Sequence, residues 1–143
     1  MLIREMDAGD FDDWSQLWAG YNQFYKRTVE GRTTERLWNN LIAKSGVPYG
    51  FVAEDQGQVL GFTHYFFVPS TSDWSPRCYM QDLFCSVDSR GKGVGRALIE
   101  AVYQQADKEN ASQTYWLTAD DNVDARRLYD KVARLTPFIK YGR

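Results

Sequence analysis

"SRGKGVGRAL", Ser89–Leu98, sets three glycines at alternate positions among three cations. Upstream, Cys78–Val87 (CYMQDLFCSV) is an apolar run of strand type. Downstream, Val94, Ala97, Leu98, Ala101 and Val102 recur with the period of one helix face. The stretch therefore reads as a strand-to-helix turn. Gly91, Gly93 and Gly95 permit positive φ and let a ligand approach the backbone closely. Successive N–H groups, joined by the orphan donors of the first helical turn, form an anion nest. The helix dipole adds roughly half a positive charge, and Arg90, Lys92 and Arg96 add whole ones. A phosphate-rich ligand is expected here; the bland alternative is a turn with scattered surface cations. The GxxxxGK[ST] pattern is absent. The GxGxxG pattern fails as well, because its sixth position, counted from Gly91, is Arg96. What remains is Arg-x-x-Gly-x-Gly, formed by Arg90, Gly93 and Gly95.

Outward from this turn the chain alternates strand and helix patterns. Leu2–Glu5 reads as a first strand. Phe11, Trp14, Trp18, Tyr21 and Tyr25 form a helical stripe, and a second helix is expected from Thr34 to Ala43. Tyr49–Glu54 and Val59–Val68 flank the turn DQGQ as a hairpin. Thr114–Thr118 (TYWLT) reads as a strand, the segment after Asn122 as a helix, and Pro137–Tyr141 (PFIKY) as a terminal strand. The order is β-α-α-β-β-β-α-β-α-β, a mixed α/β fold in a single domain, 1–143.

Composition narrows the function. The chain has 143 residues, net charge −2 and 15% aromatics. A nucleic-acid binder is usually basic or carries a long basic stripe, so the local cation cluster points to a small anionic ligand and not to nucleic acid. No apolar run approaches the roughly 20 residues of a membrane span, and MLIREMDAGD lacks the apolar region of a signal peptide. Cys78 and Cys85 fall on one expected strand, seven apart, so regular alternation puts them on opposite faces and roughly 20 Å apart. They cannot pair, which suits a reducing, cytoplasmic compartment. No His/Cys/carboxylate cluster has metal-ligand spacing.

Leu83–Ala106 (LFCSVDSRGKGVGRALIEAVYQQA) resembles the acetyl-CoA-binding core of the GNAT superfamily of N-acetyltransferases. Tyr115–Val132 (YWLTADDNVDARRLYDKV) resembles that family's next strand and its Asn-x-x-Ala-x-x-Leu-Tyr helix. CYMQDLF, YWLT and PFIKY look most like the histone- and polyamine-acetylating branch, close to diamine acetyltransferases. The resemblance implies a sheet whose central strands splay, and a ternary complex in which a primary amine attacks the acetyl thioester directly. The acceptor is then a small molecule such as a polyamine or amino acid, or a peptide amine.

The resemblance also assigns residues. Arg90, Gly91, Lys92, Gly93, Val94, Gly95 and Arg96 would hold the cofactor's diphosphate, and Leu83, Phe84 and Cys85 its pantetheine arm. Asn122 and Ala125 would complete that site; the plainer reading of Asn122 is a helix N-cap. Tyr129 stands at the family's general-acid position, and a phenol, protonated at neutral pH, can donate to the leaving thiolate; otherwise it only packs. Tyr21, Tyr25, Trp74 and Gln81 would line the acceptor pocket, although the two tyrosines suit a core equally well. Diamine acetyltransferases carry glutamate where this chain has Gln81, which cannot be a base. Asp82 is the neighbouring carboxylate and could act through water; otherwise the base is another group or the amine arrives neutral, and Asp82 is a buried structural carboxylate. His64, the only histidine, reads as structural or substrate-lining, and Cys85 as packing. No metal is expected. PFIKYGR is a candidate edge strand that could pair across a homodimer. A non-catalytic acyl-CoA sensor is the competing function, and an enzyme acting on protein amines a third.

Overall fold

The computed structural model describes residues 1–143. Strands β1 (Leu2–Glu5), β2 (Tyr49–Asp55), β3 (Gln58–Val68), β4 (Arg77–Cys85) and β5 (Gln113–Tyr115) form one sheet in that order. Pairing is antiparallel from β1 to β4, and β5 joins β4 in parallel. The helices are α1 (Phe11–Phe24), α2 (Gly31–Ile42), α3 (Val94–Lys108) and α4 (Val123–Val132). The β2–β3 turn places Gln56 and Gly57 at φ 51° and 80°, the positive-φ pair that matches the twist of a tight hairpin.

Strand alternation divides the core. Val52 and Ala53 are both fully buried and point to opposite faces. Val52 packs with Trp14, Trp18 and Tyr21 of α1 and Leu41 of α2. Ala53 packs with Val94 and Leu98 of α3. The sheet is thus sandwiched, with α1 and α2 on one side and α3 on the other. Many of the aromatics serve the first layer: the Trp14 ring lies 5.9 Å from Trp18 and 4.8 Å from Trp38. Such rings bury large apolar areas and gain further from tilted and stacked geometries.

Two irregularities shape the middle of the sheet. β5 pairs with β4 only over Arg77–Tyr79, so Met80–Cys85 has no neighbour on that side. Opposite β3, His64 pairs with Asp82 and Tyr65 with Met80. Gln81 is therefore an extra residue, a β-bulge, and it reverses the alternation along β4. Cys78 and Cys85 consequently share the α3 face: Cys78 packs with Ile99 and Val102, and Cys85 with Val94 and Leu98. The expectation that they face apart is corrected by this bulge; both are free thiols.

Two strand expectations also change. TYWLT forms strand only at its start, because β5 ends at Tyr115. Trp116 leaves the ladder to pack against Tyr103 and Tyr129, with ring centroids 6.3 and 5.3 Å away. The terminal strand Pro137–Tyr141 does not form. A strand needs a ladder partner for its N–H and C=O groups, and this segment finds none within the chain. Phe138, Ile139 and Tyr141 remain exposed.

Candidate active site

The glycine turn joins β4 to α3 through a short 3-10 turn, Val87–Ser89. Ser89 is buried, and its hydroxyl donates to the Leu60 carbonyl at 3.3 Å, tying the turn to β3. Gly91 and Gly93 take φ of 78° and 80°, the left-handed region that favours glycine. Gly93 occupies the N-cap of α3. The N–H groups of Gly91, Gly93, Val94, Gly95 and Arg96 meet no backbone acceptor. A Cβ placed on Gly91 or Gly93 would touch nothing within 4 Å, so the backbone is open to an approaching group. Gly95 differs: a Cβ there would lie 3.1 Å from Leu128 Cδ2, so its hydrogen lets α3 and α4 pack closely. The donor set suits a diphosphate.

The three cations are not equivalent. Arg96 is engaged by Glu100, with Nε 2.9 Å from Oε1. The Arg90 guanidinium lies 5.7 Å from the centre of the Phe84 ring. Lys92 is exposed and unpaired. Along β4, Leu83 and Cys85 face α3, while Phe84 faces α1 and meets Tyr21 at 5.7 Å. Burial pushes the Cys85 thiol up to about 11, partly offset by Arg90; at neutral pH it is a thiol, which agrees with a packing role and not a nucleophilic one.

Tyr129 projects from α4 toward the unpaired part of β4. Its ring packs edge-on to Trp116, and its hydroxyl has no protein partner. Burial, with lesser effects from Tyr25 and Cys85, raises it to about 12, so it keeps its proton across the neutral range. Asn122 caps α4, its Oδ1 accepting from the Ala125 N–H at 3.5 Å. It also borders a cleft of about 440 Å³ that Tyr25 shares. Capping and lining thus coincide in one residue.

Asp82 is buried and held by a chain of side chains that sequence spacing does not reveal. His64 Nδ1 lies 2.9 Å from Asp82 Oδ2, and Trp14 Nε1 donates to His64 Nε2 at 3.1 Å. An indole N–H can only donate. Nε2 must therefore accept, which places the imidazole proton on Nδ1, directed at Asp82. His64, fully buried, thus donates to Asp82 and orients its carboxyl group. The Tyr21 hydroxyl lies beside the same carboxylate, and 3.5 Å from the Gln81 carbonyl. Burial first, and Asp82 second, raise Tyr21 far above the ordinary phenol value. The structure brings Tyr21, Tyr25, Asp82 and Tyr129 to one region. Trp74 does not join them: it sits in the β3–β4 loop, fully exposed. Gln81 lies at the bulge with its side chain exposed. No group of three or more His, Cys, Asp or Glu residues is arranged to hold a metal ion, and no helix is long and apolar enough to cross a membrane.

Comparison with known proteins gives the family and the fold. The model of the acetyltransferase (GNAT) family matches residues 11–133. The D-amino-acid N-acetyltransferase HPA3 of Saccharomyces cerevisiae is 32% identical over 145 residues, covering 100% of this chain and 90% of that one. The thialysine N-epsilon-acetyltransferase of Mus musculus is 35% identical over 78 residues, covering 53% of this chain and 45% of its own. Among solved structures, a ribosomal-protein-alanine N-acetyltransferase from Brucella melitensis superposes with a TM-score of 0.81 at 20% identity, covering 100% of this chain and 99% of that one. This chain belongs to the GNAT acetyltransferase family. It is an N-acetyltransferase, of a family that uses acetyl-CoA.

Proposed function

We propose that this chain, as one domain over 1–143, transfers an acetyl group from acetyl-CoA to a primary amine by direct attack in a ternary complex. The acceptor is a small molecule such as a polyamine or amino acid, or a peptide amine. The observation that carries the reading is the placing of the Tyr129 hydroxyl and the Tyr21–Asp82 pair beside the stretch of β4 that β5 leaves unpaired. The Gly91–Arg96 turn holds the diphosphate, Leu83–Cys85 hold the arm, and Asn122 and Ala125 flank it. When bound, the cofactor supplies an activated acetyl thioester. Asp82, kept in place by the His64 N–H, receives the acceptor's proton, with the Tyr21 hydroxyl as the link to the cleft. The amine nitrogen forms its bond to the acetyl carbon as the carbon–sulfur bond breaks, and Tyr129 gives its proton to the departing sulfur. A relative named for D-amino acids and another named for thialysine support an amine acceptor.

The test is thiol release from acetyl-CoA over polyamines, amino acids, an aminoglycoside and a histone-tail peptide. At least one class is expected to turn over, and Asp82→Asn is expected to lower kcat for it by about 10²-fold. Tight acetyl-CoA binding without release on any amine would instead favour the non-catalytic sensor.

The proposal extends to assembly and compartment. Phe138, Ile139 and Tyr141 are exposed, and the edge strand β5 is only three residues long; pairing with a second copy's Pro137–Tyr141 segment would give this tail a ladder partner. Sedimentation should find a dimer, and truncation after Arg134 should give a monomer. A monomeric full-length chain at micromolar concentration overturns this. The free thiols of Cys78 and Cys85 agree with a cytoplasmic setting, which cell fractionation checks.

A further inference from the structure

The loop between α1 and α2 holds one guanidinium in an unusual way. Arg27 Nε donates to Asn22 Oδ1 at 2.7 Å. Asn22 is itself buried in α1 and fixed by its Nδ2, which donates to the Trp18 carbonyl at 2.9 Å. The Arg27 backbone N–H is tied to the Asn22 carbonyl at 3.0 Å. Three rings surround the guanidinium: its central carbon is 5.8, 5.2 and 5.7 Å from the centres of Trp18, Tyr21 and Tyr25. Aromatic contact of this kind uses the face of the guanidinium, whereas hydrogen bonding uses its edges. Asn22 occupies the Nε edge. Nη1 and Nη2 donate to no protein acceptor, and Arg27 takes part in no ion pair. By contrast, Arg4 is consumed by Asp10 and Glu54.

Arg27 is exposed, and a guanidinium held at its Nε edge with its two-nitrogen edge free is a receptor for a carboxylate. Its position links it to the acceptor side of the site. The Tyr21 ring that it touches carries its hydroxyl to 3.5 Å from the Gln81 carbonyl of β4, and the Tyr25 ring packs on Tyr21 at 5.1 Å. We infer that Arg27 reads the carboxylate of the acceptor, so that the acceptors of this enzyme are amino acids and not polyamines. The inference rests on the acetyl-transfer reading above and deepens it. A polyamine would present a second cation to Arg27, and like charges repel.

The experiment measures kcat/KM for alanine, phenylalanine and lysine, for their carboxamides, and for putrescine, in the wild type, Arg27→Gln and Arg27→Lys. The wild type is expected to prefer each acid to its amide. Arg27→Gln should reduce the acid-to-amide ratio of kcat/KM about 10- to 100-fold, the range of a charge-assisted hydrogen-bond pair, with most of the change in KM. Arg27→Lys keeps the charge without the fork and should fall between. General damage to the loop lowers acid and amide together and cancels in the ratio, so an unchanged ratio in Arg27→Gln overturns the inference. A wild type that acetylates putrescine or amides as well as acids overturns it too, while leaving the acetyltransferase reading intact. No release on any of these amines or on the peptide removes both.

Discussion

Tyr129→Phe is expected to lower kcat by about one to three decades and to leave the affinity for acetyl-CoA nearly as it was. The substitution removes one oxygen. The ring is seated by packing against Trp116, not by any hydrogen bond of its hydroxyl, so phenylalanine occupies the same place and the fold is not at issue. What is lost is the proton. Burial holds the hydroxyl at about 12, so below that pH the side chain remains an acid, and a departing thiolate is the group beside it that would take the proton. General acid catalysis contributes about 10²–10⁴-fold where fully expressed; a thiolate is a fair leaving group unaided, hence the lower range here. Since the phenol titrates only near 12, its loss should depress kcat at every pH from 6 to 9 without moving the acid limb. Rapid-mixing kinetics across that range, with calorimetry on acetyl-CoA, decide it. A variant as fast as the wild type takes Tyr129 out of the chemistry.

The sequence foretold the parts of this site that are local. The glycine turn, the N-cap at Asn122 and the phenol on α4 each lie within a single turn of chain, where residue type and spacing determine the geometry. The aromatic stripe from Phe11 to Tyr25 likewise appears as one helix face. Hidden parts depend on distant pairing. Trp14, His64 and Asp82 are separated by 50 and 18 positions, and only the registers of three elements bring them together. The bulge at Gln81 leaves no sequence mark, yet it sets which β4 side chains share a face, and a strict alternation misplaced Cys85 relative to Cys78 for that reason. PFIKY shows the opposite failure: its β-branched and aromatic character is real, but strand character is realised only against a partner. Arg27 gave no signal at all, since its role depends on Asn22 and on rings of α1 stacked beneath a loop.

Gly93→Asp is expected to weaken acetyl-CoA binding by about 10- to 100-fold. Two effects contribute, and they can be separated. Gly93 sits at φ 80°, where any L-residue costs about 1–2 kcal/mol; that cost falls on stability. Space is not the problem, because a Cβ at this position meets nothing within 4 Å. The second effect is electrostatic. A carboxylate placed at the mouth of the nest competes for the free N–H groups of α3's first turn and repels the incoming diphosphate. At an effective dielectric constant of about 20, two unit charges about 5 Å apart interact by about 3 kcal/mol, enough for the range given after solvent screening. Gly93→Ala carries the strain without the charge and serves as the reference. Thermal melting should show the two variants similarly destabilised, whereas calorimetry should show a larger loss of cofactor affinity in the aspartate variant, narrowing as salt is raised. Equal affinities for Gly93→Asp and Gly93→Ala would mean that the diphosphate binds away from this turn, and the proposal that Leu83–Cys85 hold the arm would lose its support with it.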